Sequence, residues 1–164
     1  MTLALRPPSA PAQALRQARP LLAPDIALAA TDPLCPHNAA LADEIASLPR
    51  ATTARQREFT AGRAAVHDAM RLLGLPPRPV RHGPDRAPVW PLGLTGSISH
   101  TDTACLAAIG RTENTRAIGL DLESGAPPDA DLVPVICTPA EQNALRALPA
   151  DQQLKHAKLI FSAK

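Results

Sequence analysis

The chain has 164 residues, 45% hydrophobic but only 2% aromatic, with 19 prolines and a formal net charge of +2. That length suits one domain or two small lobes, with a core built mostly from Ala, Leu, Ile and Val. The weak charge gives no basis for nucleic-acid binding, and no apolar run nears the ~20 residues needed to span a bilayer.

Of the 17 basic residues, fourteen are Arg. Arg grips phosphate bidentately, though an Arg- and Ala-rich composition also follows from mutational bias in a genome. Cys35, Cys105 and Cys137 are odd in number and far apart. They read as reduced thiols of a cytoplasmic protein, with no zinc pattern. The N-terminus is basic and has no acid before Asp25, but its prolines and missing amphipathic stripe argue against a transit peptide.

Residues 1–20 are Pro- and Ala-rich and are expected to be irregular. Ile26 to Ala30 predicts a short strand, closed by Thr31-Asp32-Pro33, and Asn38 to Leu48 a short helix. The clearest element is a helix from about Ala54 to Leu73. Thr53 and Gln56 have capping-box spacing, and Gly74 suits the C′ position. Phe59, Val66, Met70 and Leu73 form its apolar stripe. Arg63, four residues after Phe59, falls at the stripe's edge, where it needs a partner or an outlet to solvent. Gly62 beside it permits a close approach.

Pro76 to Pro91 reads as a loop centred on Gly83-Pro84-Asp85-Arg86-Ala87-Pro88. Thr95–Ser99, Ala104–Ile109 and Ala117–Glu123 then predict an antiparallel meander. Thr138-Pro139-Ala140-Glu141 combines an N-cap Thr, Pro at N1 and Glu at N3, and predicts a helix to about Leu148. A further helix from near Asp151 carries Leu154, Ala157, Lys158 and Phe161. It meets no stop signal before Lys164, so a truncated polypeptide is expected.

On a strand, Asp121 and Glu123 share one face about 7 Å apart. The pair suits either a solvated strand edge or a hard cation such as Mg²⁺, which takes carboxylate, phosphate and water oxygens. Ser97 and Ser99 also share a face, with His100 opening the following turn; they serve as phosphate donors or as turn caps. Arg86, in a loop stiffened by proline, is an ordinary exposed Arg or a phosphate contact. Lys164 alone is a solvated terminal Lys.

Taken together, Arg63, Arg86, Gly96-Ser97-Ile98-Ser99-His100, Ile118-Gly119-Leu120-Asp121-Leu122-Glu123 and Phe161-Ser162-Ala163-Lys164 form an ordered set. It resembles the motif series of the 4′-phosphopantetheinyl transferase superfamily over roughly residues 50–164. The resemblance is strongest to the siderophore-synthetase subgroup, the enterobactin synthetase component D type. Phe59-Thr60-Ala61-Gly62-Arg63 and Arg86-Ala87-Pro88-Val89-Trp90-Pro91 add to it.

The resemblance implies an α+β fold of two similar lobes with the site in the cleft between them. Residues 1–50 would form an N-terminal segment, 51–125 the first lobe and 126–164 an incomplete second lobe. It implies Mg²⁺-dependent transfer of the phosphopantetheine arm of coenzyme A to a serine of an acyl or peptidyl carrier protein, in a cytoplasmic enzyme that is monomeric at full length. Asp121 and Glu123 match magnesium ligands. Ser99 and His100 match coenzyme A phosphate contacts. Arg63 and Arg86 match contacts to the nucleotide end. Lys164 matches the motif's catalytic and cofactor-binding Lys. In the family a Glu, a third metal ligand, follows that Lys at once. This chain ends first, so little transferase activity is expected of it alone. A catalytically defective coenzyme A or carrier-protein binder is the competing expectation, and a metal-dependent phosphatase or nuclease a more distant one.

Overall fold

The computed structural model describes residues 9–48 and 51–163. It divides into two compact units, Met1–Leu122 and Glu123–Lys164.

The first unit is built on a three-stranded antiparallel sheet. Strand β1 (Ala27–Thr31) pairs with β5 (Cys105–Arg111), which pairs in turn with β4 (Leu94–His100). Central β5 reads Cys-Leu-Ala-Ala-Ile-Gly-Arg, a nearly unbroken apolar run, because both faces of the sheet are covered. On one face, Ala27, Ala29, Ala107 and Ile109 meet Ala65, Val66, Ala69 and Met70 of helix α3 (Thr53–Leu72). On the other, Leu106 packs with Ala14 of α1 (Ala10–Ala18) and with Leu120 and Leu122. Leu28 and Ala108 pack with Leu15, Ala18 and Ile118. Alternating side chains of single strands thus feed two cores.

Helix α3 occupies its predicted span, with its N-cap one residue earlier than expected: Thr52 Oγ1 accepts from Arg55 N at 3.3 Å. At its other end Leu75 N donates to Met70 O and Gly74 N to Arg71 O, both at 2.9 Å, with Gly74 at φ 72°. This is a Schellman closure, which glycine adopts without steric penalty. The predicted short helix is α2 (Ala42–Ser47).

Three expectations are corrected. Residues 10–18 are helical rather than irregular: Pro11 falls in the first turn, where a missing N–H breaks no intrahelical bond. The expected loop from Pro76 to Pro91 contains a short hairpin, β2 (Arg81–His82) with β3 (Pro88–Val89). Ala117–Glu123 is not a strand. It runs beside β4, but its amides bond serine hydroxyls instead of a backbone ladder: Leu120 N to Ser97 Oγ at 3.2 Å and Leu122 N to Ser99 Oγ at 3.0 Å.

The second unit holds α4 (Val133–Ile136), α5 (Pro139–Arg146) and α6 (Ala150–Ala163) around Cys137, Leu145 and Ala157. Thr138 caps α5 as predicted, with Glu141 reaching back to Thr138 N at 2.7 Å. Among the described residues, no helix is long and apolar enough to cross a membrane.

Candidate functional site

A cavity of about 170 Å³ opens where α3, the β2–β3 hairpin and β4 converge. Helix α3 contributes Arg55, Glu58, Phe59, Gly62 and Arg63; the hairpin contributes His82, Arg86 and Pro88; β4 contributes Ile98 and His100. Four-residue spacing aligns Arg55, Phe59 and Arg63 on one face of α3. Gly62 permits the contact with β4: a Cβ there would lie 3.3 Å from Ile98 Cγ2.

Arg63 is only 5% exposed, and its Nε lacks a hydrogen-bond partner. The guanidinium lies 4.3 Å from the Phe59 ring centroid, a cation–π contact, and its Nε is 3.8 Å from Glu44 Oε1. Burial pulls the Arg63 pKa below arginine's ordinary value; the charge of Glu44 opposes this and Arg55 adds to it. Cys105, the neighbour of Gly62 from β5, is an inert thiol, pushed up to about 11 mainly by burial.

Glu44 is fully buried and joins three segments. Its Oε2 accepts from Leu41 N at 2.7 Å, and its Oε1 from Val80 N at 2.8 Å with His67 Nε2 at 3.1 Å. Burial pushes its pKa up, but the bonds from His67, Val80 and Leu41 and the charge of His67 outweigh that and hold it below the ordinary carboxylate value. Ser47 Oγ accepts from His82 N at 2.8 Å. Helix α2 thereby ties the hairpin wall of the cavity to the α3 wall.

Arg86 is the one non-glycine with positive φ among the described residues, at 69°. Arg86 N bonds Gly83 O at 3.0 Å, and Gly83 N bonds Ala87 O at 2.8 Å. A tight turn followed by a left-handed residue is the geometry of a three-residue hairpin loop, where Gly or Asn is usual. Here that position holds a long cation on the cavity rim.

The side chains of Ser99 and His100, neighbours on β4, lie on opposite faces of the sheet. His100 lines the cavity, with Nε2 3.4 Å from Arg55 Nη1 and 3.6 Å from Glu58 Oε2. Ser99 Oγ donates to Asp121 Oδ1 at 3.0 Å while accepting from Leu122 N. Its one proton therefore orients Asp121. Asp121 is exposed. Glu123, which opens the second unit, pairs with Lys158 at 2.5 Å.

No group of three His, Cys, Asp or Glu side chains that could hold a metal occurs among the described residues. Carboxylate oxygens of the kind that Asp121 and Glu123 each carry suit a hard cation such as Mg²⁺, which keeps water and phosphate oxygens as its other ligands.

Arg63, Arg86 and His100, distant in sequence, thus line one cavity. Lys164 lies outside the described residues. The sequence reading missed Arg55, Glu58, His82, Glu44 and His67. The signal for Arg55 was present in its spacing of four and eight residues from Phe59 and Arg63. Glu44 and His82 carried none, because their roles depend on contacts between elements.

Residues 43–110 match the family described as the 4′-phosphopantetheinyl transferase N-terminal domain. The chain is 34% identical to the 4′-phosphopantetheinyl transferase Svp of Streptomyces mobaraensis, over 74% of this chain and 50% of that protein. It is 32% identical to PptT of Mycobacterium tuberculosis, over 76% and 54%. It is 40% identical to enterobactin synthase component D of Salmonella typhimurium, over 67% and 45%. The chain spans about half the length of the curated relatives it matches. The site motifs and these matches agree: the chain belongs to the 4′-phosphopantetheinyl transferase superfamily, with relatives of the enterobactin synthase component D type.

Proposed function

We propose that the whole protein transfers the 4′-phosphopantetheine arm of coenzyme A to a serine of an acyl or peptidyl carrier protein, in the cytoplasm and in siderophore or nonribosomal peptide synthesis. The observation that carries the reading is the buried Arg63 with an unpartnered Nε on the wall of a cavity it shares with Arg86 and His100. A buried donor left unpaired costs about 1–3 kcal/mol. An anionic ligand entering the cavity would offer the Arg63 guanidinium a charge-assisted bond that the chain itself does not supply.

In this reading Arg63, Arg86 and His100 hold the anionic nucleotide end of coenzyme A. Asp121, oriented by Ser99, would serve as a Mg²⁺ ligand; Glu123 as a second ligand and Lys164 as a phosphate contact are assigned from the motif alone. The bound ion supplies charge neutralisation at the diphosphate. The carrier serine Oγ forms a bond to the phosphorus that bears pantetheine, the bond from that phosphorus to the bridging diphosphate oxygen breaks, and adenosine 3′,5′-bisphosphate leaves. The serine proton passes to a base. Such a transfer asks the protein for positioning and electrostatics rather than a nucleophile of its own.

The test is a mass-shift assay of the whole protein with coenzyme A, Mg²⁺ and an apo carrier protein. Phosphopantetheine addition that is lost in Asp121→Ala is expected. Undiminished addition by Asp121→Ala would remove the metal assignment, and no addition to any carrier would remove the transferase reading.

A further inference from the structure

The cavity described above is not an open bowl of cations. Glu58, one turn after Arg55 on α3, lies inside it. Its Oε2 sits 3.2 Å from Arg55 Nη1 and 3.6 Å from His100 Nε2. One carboxylate oxygen therefore faces two of the cationic or potentially cationic groups that line the cavity.

The contacts around His100 compete. Against Arg55 the ring nitrogen must accept a hydrogen bond; against Glu58 it must donate one. A carboxylate holding Arg55 satisfies the arginine and leaves the ring to alternate between the two. The Glu58 side chain keeps 30% of its exposure, so it can swing to solvent without first breaking the core. Arg63, deeper in the wall, receives nothing from Glu58: its Nε has no hydrogen-bond partner, and among the described residues it pairs with Glu44. The cavity thus holds a buried cation, Arg63, that Glu58 does not touch, and another, Arg55, already occupied by an anion of the chain itself.

We infer that Glu58 is an internal competitor for the phosphate of the ligand: its carboxylate occupies Arg55 and His100 until a substrate phosphate displaces it, and so sets the affinity of the cavity. This rests on the coenzyme A reading. It makes Glu58 an affinity-determining residue, opposite in sign to the arginines around it. Removing its charge ends both the competition for Arg55 and the repulsion of the incoming phosphate.

The experiment is calorimetric titration of the 164-residue chain with coenzyme A at fixed pH and low salt, beside Glu58→Gln, Glu58→Ser and Arg55→Gln. A partly exposed pair of this kind is worth up to about 1 kcal/mol, so Glu58→Gln should bind about three- to fivefold more tightly. Glu58→Ser, which also lacks the carboxylate, should do the same, and Arg55→Gln should weaken binding. Added salt should narrow the gap between wild type and Glu58→Gln. Circular dichroism melts confirm that each variant is folded. If wild type binds and both Glu58 variants bind equally or less tightly, Glu58 only orients Arg55 and the inference is overturned. If neither wild type nor the Glu58 variants take up coenzyme A, the cavity of this chain does not hold coenzyme A, and the inference is overturned together with that assignment.

Discussion

Arg86 combines a strained backbone with a cation at the cavity rim. A left-handed non-glycine residue costs on the order of 1 kcal/mol, and it persists where its surroundings hold it in place. Gly83, Asp85 and Ala87 provide those bonds. Arg86→Gly should therefore leave the melting temperature unchanged or slightly raised, because relieved strain offsets glycine's greater freedom in the unfolded chain. The same change should weaken coenzyme A binding about tenfold or more, through a lost charge-assisted bond. Thermal melts and calorimetry on the same samples separate the effects; unaltered binding would leave Arg86 as a turn residue only. Glu44 yields a prediction of different kind. Its folded pKa lies below its ordinary 4.5. Stability from this carboxylate is therefore complete above that value and is lost as pH falls through the lower folded one. Glu44→Gln should flatten the acid limb of a stability–pH curve measured by urea unfolding between about pH 3 and 7. Glu44→Ala, which strands His67 and Val80 N in the core, should destabilise by about 3 kcal/mol or more at neutral pH.

At the level of elements, β4 shows how the site is spaced. A Cβ on Gly96 would lie 2.5 Å from Ala108 O and 2.7 Å from the Trp90 ring. Gly96→Ala should thus cost about 1–3 kcal/mol by overpacking, and loosen the strand that carries Ser99 and His100. Urea unfolding checks this, and a neutral result would show that β4 and β5 can part at Ala108 O as well as that Trp90 can step aside. Helix α3 was legible in the sequence because capping, period and a C′ glycine agree there over 20 residues. The N-cap slipped by one residue because Thr52 and Thr53 are chemically equivalent candidates. Helix α1 was hidden because proline counts look like disorder unless their position in the first turn is known. The segment Ala117–Glu123 has strand-like alternation, and Leu120 and Leu122 do bury against the sheet. What sequence alternation does not reveal is whether an amide's partner is a backbone carbonyl or, as here, a serine hydroxyl. For the site, the cations were visible as residue types, whereas the buried acid and imidazole beneath them became visible only once α2 met α3.

Across the whole molecule, every side chain that lines the cavity, and both cores that hold the sheet, belong to the unit Met1–Leu122. The second unit is a 42-residue stretch, from 123 to 164, whose helices share a core of three buried residues. A segment so small is marginal alone. A chain shortened to residues 1–125 should therefore fold and take up coenzyme A about as well as the full 164 residues in the absence of Mg²⁺. The metal response should differ between the two. In the full chain Lys158 pairs with Glu123 and competes with any cation for that carboxylate. The shortened chain lacks Lys158, so Mg²⁺ should enhance coenzyme A binding at about two- to fivefold lower concentration. Lys158→Met in the full chain should reproduce that gain, and Glu123→Gln should abolish it in both. A Mg²⁺ response that ignored all three changes would mean that Glu123 is bound to its lysine for structural reasons and holds no metal, leaving Asp121 with its serine partner as the carboxylate to which the ion must look.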